Sequence, residues 1–122
     1  MAAAWGFVRW KPFRVEIVGS SMRPTLEPGE WALAVAVASY RRGDVLVLEH
    51  PERPGFELVK RIIAVPGDLA PDGRVLDADR FWLEGDSADA STDSRTFGAV
   101  ARANLVGRVR LVYHPFERRR LL

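Results

Sequence analysis

The sequence predicts a mostly β fold, a small barrel or sandwich of short antiparallel strands with little helix, and three observations lead there. Apolar residues recur in short runs with the alternating spacing of a strand, not the three-to-four spacing of a helix. Eight prolines and ten glycines punctuate those runs along the 122 residues, so the elements are short and joined by turns. Hydrophobic residues make up 48% and charged residues 28%, a balance that buries a core, and the length suits one domain.

The elements follow in order. Arg14 to Val18 alternates, with Val15 and Ile17 on one face and Glu16 and Val18 on the other. Trp31 to Val37 follows the turn Glu27-Pro28-Gly29, and Asp44 to Glu49 opens from Arg42-Gly43-Asp44. Glu57 to Val65 is closed by Pro66-Gly67-Asp68, and the polar stretch Leu69 to Arg80 turns at Pro71-Asp72-Gly73. Phe81 to Glu84 and Val106 to Tyr113 complete the strands, with a loop from Gly85 to Asn104 between them. Helix is expected only as one turn near Met22 to Leu26 and a few residues at Arg102 to Leu105. The chain divides into an aromatic and basic lead-in (1–13), a β-domain (14–115) and a basic tail (116–122). The tail arginines Arg118, Arg119 and Arg120 read first as a solvated end and only second as a contact for phosphate or membrane.

Several function classes drop out. With no cysteine, disulfide scaffolds, thiolate zinc sites and cysteine nucleophiles are excluded. A net charge of +2 gives no strong basic field, so no nucleic-acid partner is expected. The longest apolar run, Trp31 to Ala38, falls far short of the roughly 20 residues that a spanning helix needs. The expectation is a membrane-associated or cytoplasmic chain without a span of its own. Trp5, Phe7 and Trp10 beside Arg9 and Lys11 suit peripheral contact with a membrane interface, although packing on the domain or fraying is the plainer reading.

Three segments are richer in chemistry than structure requires. Gly19-Ser20-Ser21-Met22-Arg23-Pro24-Thr25-Leu26 leaves a strand directly. A glycine and two hydroxyls there allow a sharp turn that presents a nucleophile and leaves backbone N–H groups free for an oxyanion. An ordinary serine-rich turn is the competing reading. Leu58 to Val65 places Lys60 in an apolar strand, on the face of Leu58 and Ile62, while Arg61 points the other way with Val59 and Ile63. One of the two cations must therefore enter whichever face is buried, and a buried lysine loses basicity until it can take a proton from a serine. An edge strand with both cations in solvent is the competing reading. Gly85 to Arg95 supplies hydroxyls and carboxylates that could orient a lysine. The spacing of Asp86, Asp89 and Asp93 does not match a calcium loop.

Taken together, these segments resemble the signal peptidase I family. GSSMRPTL is similar to its nucleophile box, RRGDVLVLEHP to the strand after it, LVKRIIAVPGD to its lysine box and GDSADASTDSRTFG to its terminal box. They stand in the family's order from Val15 to Val112. The resemblance implies a serine endopeptidase with Ser21 as nucleophile and Lys60 as base, working through an acyl-enzyme without metal or cofactor. It implies that Ser91 hydrogen-bonds the lysine, that Asp93 and Arg95 brace the site with Ser94 between them, and that Gly19 stands where some members have a hydroxyl helping the oxyanion. It further implies an apolar wall of Val15, Ile17, Met22 and Val59, and a precursor polypeptide with small residues before the cut, bound as an extended strand.

The chain departs from the family pattern in having about twenty residues and no span before the nucleophile box, and Gly85-Asp86-Ser87 for the usual Gly-Asp-Asn. Compact size also resembles the small proteases that trim the N-terminal extension of nickel-type superoxide dismutase. The self-cleaving domain of SOS-type repressors shares the serine–lysine pair, but the helix-turn-helix it needs is not found. His50 and His114 are alternative bases without a triad context. A non-catalytic β-domain binding peptide or nucleic acid is the reading from a different class.

Overall fold

The computed structural model describes residues 11–88 and 92–122. Its strands are β1 (Phe13–Glu16), β2 (Trp31–Val35), β3 (Val45–Glu49), β4 (Glu57–Ala64), β5 (Arg80–Glu84), β6 (Val100–Ala101), β7 (Leu105–His114) and β8 (Arg120–Leu121). They form one antiparallel sheet in the order β1-β2-β7-β3-β4-β5-β6, with β8 added to β7. Among the described residues β1 and β6 end the order without pairing to each other, so the mostly β expectation holds while closure into a barrel does not occur. Among the described residues helix is scarce: one turn, α1 (Ser94–Phe97), and 3-10 turns at Arg102–Asn104 and Phe116–Arg118.

Strand β3 explains the packing. Val45 and Val47 join one buried cluster, with Ile17, Met22, Leu26 and Val109, while Leu46 and Leu48 join another, with Ile62, Phe81 and Leu83. Successive strand residues face opposite sides, so the continuous apolar run of β3 is buried on both faces. It is also hydrogen-bonded on both edges, to β4 and β7. A smaller cluster of Ala64, Ala70, Leu76 and Trp82 closes the end of the sheet under the 69–75 hairpin.

The close approach of β1 and β2 to β7 depends on Gly107. A methyl group there would meet the Phe13 ring at 2.9 Å and the Val35 carbonyl oxygen at 2.9 Å. The ring could swing away, but the backbone oxygen cannot without moving β2. Gly107→Ala is therefore expected to lower stability by about 1–3 kcal/mol, measured by urea unfolding.

The basic tail does not run into solvent as a charge run would. Residues 116–121 form the last 3-10 turn and β8, and Arg118 and Arg120 reach the buried carboxylate of Glu30 at 3.0 and 2.9 Å. That carboxylate needs counter-charges inside the fold, and the tail supplies them.

Candidate active site

The segment after β1 is a loop pinned at its two ends. Ile17 donates its N–H to the Glu30 carbonyl at 2.8 Å, and Gly29 donates to the Ile17 carbonyl at 2.9 Å. Between these pins Gly19 turns the chain at φ +82°, a conformation open to glycine at little cost. Arg23 N–H then bonds the Ser20 carbonyl at 3.1 Å and Leu26 N–H the Met22 carbonyl at 2.9 Å, so hydrogen-bonded turns stand where a turn of helix was expected. Met22 and Leu26 anchor that turn in the core, at 2% and 0% exposure. Ser21, between the glycine turn and this anchor, is held at the rim.

Lys60 comes from β4, opposite Leu46 of β3. It is 2% exposed, and its Nζ lies 2.9 Å from Ser21 Oγ in a hydrogen bond. Burial pushes its pKa below the ordinary lysine value; the Asp93 charge opposes that shift and the Arg95 charge adds to it. Lys60 is thus the cation turned into the fold, as the two-faced pattern of its strand requires, and Arg61 is the one turned out.

Arg61 ties the site together. Its guanidinium makes a two-pronged pair with Asp86 (Nε–Oδ1 and Nη2–Oδ2, both 2.9 Å) and donates to the Gly43 carbonyl at 2.7 Å. Thr25, on the serine loop, donates its hydroxyl to Asp86 Oδ2 at 2.5 Å. The residue after Asp86, Ser87, donates its N–H to the Ser21 carbonyl at 2.8 Å. Burial raises the Asp86 pKa, but the hydrogen bonds from Arg61 and Thr25 and the Arg61 charge outweigh it, and the net shift is downward. Asp86, Thr25 and Ser87 are missing from the sequence-derived site. The available signal was Arg61, whose outward charge had to find an anion.

Asp93, wholly buried, caps α1 by accepting from Arg95 N–H at 3.0 Å, and it accepts from Gly85 N–H at 2.9 Å and Arg95 Nη2 at 2.6 Å. Ser94 lies between them with its hydroxyl accepting from Leu83 N–H at 2.9 Å. Ser91 falls outside the described residues, as do Trp5, Phe7, Arg9 and Trp10.

Two clefts meet at Ser21 and Lys60. The larger, about 330 Å³, has Ile17, Met22 and Val59 in its wall together with Val18, Leu58 and Phe56, and Glu16 and Glu57 at its rim. Val15, expected in that wall, is not among its lining residues and packs half-buried against the core. It stands two residues further back along β1. The smaller cleft, about 230 Å³, adds Ser20, His50, Arg53 and Thr92. His50 Nδ1 accepts the Glu52 N–H at 3.0 Å, and His114 lines a separate groove with Trp31 and Phe116. Neither imidazole is the hydrogen-bond partner of Ser21.

Comparison with known proteins identifies the family. The family model described as signal peptidase, peptidase S26, matches residues 1–70 and 69–114. Mitochondrial inner membrane protease subunit 1 of Xenopus tropicalis is 33% identical over 118 residues, covering 81% of this chain and 67% of that protein. Subunit 2 of Schizosaccharomyces pombe is 32% identical, with 84% and 64% covered, and subunit 2 of Mus musculus is 33% identical, with 86% and 67% covered. The chain thus spans about two thirds of the length of these relatives. Among the described residues no helix is long and apolar enough to cross a membrane. A match running through both the serine loop and the lysine strand places the chain in the signal peptidase S26 family of proteases.

Proposed function

We propose that the protein is a serine endopeptidase that removes N-terminal signal or pro-peptides from precursor proteins, with Ser21 as nucleophile and Lys60 as general base. The observation that carries this reading is the 2.9 Å contact between Ser21 Oγ and a lysine that is 2% exposed. A lysine kept from solvent is neutral over more of the pH range, and a neutral amine accepts a hydroxyl proton.

Neutral Lys60 takes the Ser21 proton as Oγ bonds to the scissile carbonyl carbon. Among the described residues the Ser21 backbone N–H has no acceptor, which suits it to the oxyanion; Gly19 adds no side-chain donor. The protonated Lys60 then gives its proton to the departing amine as the C–N bond breaks. Water attacks the resulting ester, passing one proton to Lys60, and the ester C–O bond breaks as that proton returns to Ser21. Small residues before the cut suit the wall of Ile17, Met22 and Val59, and the edge of β1 that carries no further strand among the described residues offers backbone groups to an extended substrate. The relatives are named as inner membrane protease subunits, which supports precursors presented at a membrane as the setting.

A serine-directed covalent probe tests the assignment cheaply. Mass spectrometry of the labelled, digested protein is expected to find the adduct on Ser21 and none on Ser20. A protein labelled elsewhere, or a Ser21→Ala variant that still cleaves a precursor at the wild-type rate, would sink it.

A further inference from the structure

We propose that the smaller cleft binds the leaving-group side of the substrate and that Arg53 there selects an acidic side chain; this rests on the Ser21–Lys60 reading above. Both clefts include Ser21 and Lys60 in their walls. A polypeptide lying in the apolar cleft with its scissile bond at Ser21 must therefore continue into the smaller one. Val18, Phe56 and Leu58 line both clefts, but Ile17, Met22 and Val59 are confined to the larger one and the smaller one adds the polar groups of Ser20, His50, Arg53 and Thr92.

The backbone that carries Arg53 is ordered. It sits in a turn closed by hydrogen bonds from Arg53 N–H to the His50 carbonyl (3.2 Å) and from Phe56 N–H to the Arg53 carbonyl (3.0 Å). The carboxylate of Glu49 takes the Gly55 N–H at 2.7 Å and stiffens the turn further. The Arg53 guanidinium carbon lies 4.2 Å from the centre of the Phe56 ring, so the side chain, although solvent-exposed, is stacked on a ring that lines the cleft. Arg61, Arg95, Arg118 and Arg120 are each paired with a carboxylate, whereas among the described residues Arg53 pairs with none. A stacked guanidinium with its donors unspent favours a carboxylate, which it can grip through two parallel bonds.

Charge on the other side gives the preference a direction. Glu16 and Glu57 stand at the rim of the apolar cleft, where they repel an acidic residue placed before the cut. An acidic residue after the cut meets Arg53 instead.

The test uses the full chain and two peptides with the same small residues before the bond and either Asp or Lys in the first two positions after it. Wild-type kcat/KM is expected to favour the Asp peptide by about tenfold, and Arg53→Glu is expected to reverse the order. The preference is a ratio within one protein, so a general loss of folded or active material cancels. Cleavage of both peptides without preference overturns the inference and leaves the catalytic pair standing. So does a preference that survives Arg53→Glu, or one that appears only when Asp is moved before the bond. Failure of wild type to cut any peptide, with no probe label on Ser21, overturns the catalytic reading and this inference with it.

Discussion

Lys60→Met is expected to abolish cleavage and at the same time to make the protein more stable. On activity, removing the base leaves Ser21 with no group to take its proton, a loss on the order of 10⁴–10⁶-fold in kcat/KM. On stability, the side chain is 2% exposed and its pKa is held down chiefly by burial. The folded state therefore binds its proton less readily than the unfolded chain does. For a base shifted downward, the deficit is full below the folded pKa and shrinks as pH rises from there toward the ordinary lysine value of 10.5. Methionine fills a similar volume without a charge, and replacing buried ionic groups by apolar ones stabilises by about 1–4 kcal/mol in favourable cases. Thermal melts at pH 7 and pH 10 check this: the variant melts higher at pH 7, and the gap narrows at pH 10. Wild-type cleavage should follow the same proton, rising with pH along a limb that lies below the normal lysine range. A variant that melts lower than wild type at pH 7 would mean that Lys60 is a net structural support rather than a cost to the fold.

The second large effect lies at the other end of the chain. Arg120→Met is expected to destabilise the protein by about 3 kcal/mol, which for a domain of this size lowers the melting temperature by about 10 °C. Arg120 holds both oxygens of Glu30 at 2.9 Å and donates to the Thr25 carbonyl at 2.5 Å. Glu30 is 0% exposed, so losing its main partner leaves a carboxylate inside the fold with Arg118 as the remaining cation and the Glu27 N–H as a neutral donor. The hydrogen bond from Arg120 is the largest cause holding the Glu30 pKa down, from 4.5 to about 2. An acid shifted downward stabilises fully above its unfolded pKa, and that contribution is lost as pH falls through the folded one. The gap between wild type and variant should therefore be complete above pH 4.5 and close toward pH 2. Urea unfolding at pH 7 and pH 3 measures both points. Because Thr25 belongs to the serine loop, the variant should also lose activity at temperatures where it is still folded.

Much of this architecture was legible in the sequence because strands bury alternate residues. The Val45–Glu49 run and the Lys60/Arg61 pair could be placed on faces without a structure, and that placement led to the candidate site. Asp86 was not legible in the same way: its partners Arg61 and Thr25 are distant along the chain, and periodicity carries no information about such pairing. The turn α1 was hidden in a polar loop because its cap, Asp93, looks in sequence like any solvated acid. Strand β8 is only two residues long, Arg120 and Leu121, too short to show alternation. Open or closed sheet edges depend on strand order, on which local pattern is silent.

The two halves of the proposed Ser21–Lys60 pair are held by different kinds of bond, and they are expected to fluctuate differently. Lys60 rides on a strand laddered to β3, which is covered on both faces, so its amides should exchange with solvent only when the whole sheet comes apart. Ser21 rides on a loop fastened by a few contacts: two pins at its ends, the Asp86 network, the Ser87 bond and the Arg120 grip. Excursions of that loop cost less than opening the sheet. The serine is therefore expected to leave and rejoin a lysine that stays put, and a peptide spanning both clefts, as proposed, would favour the joined arrangement.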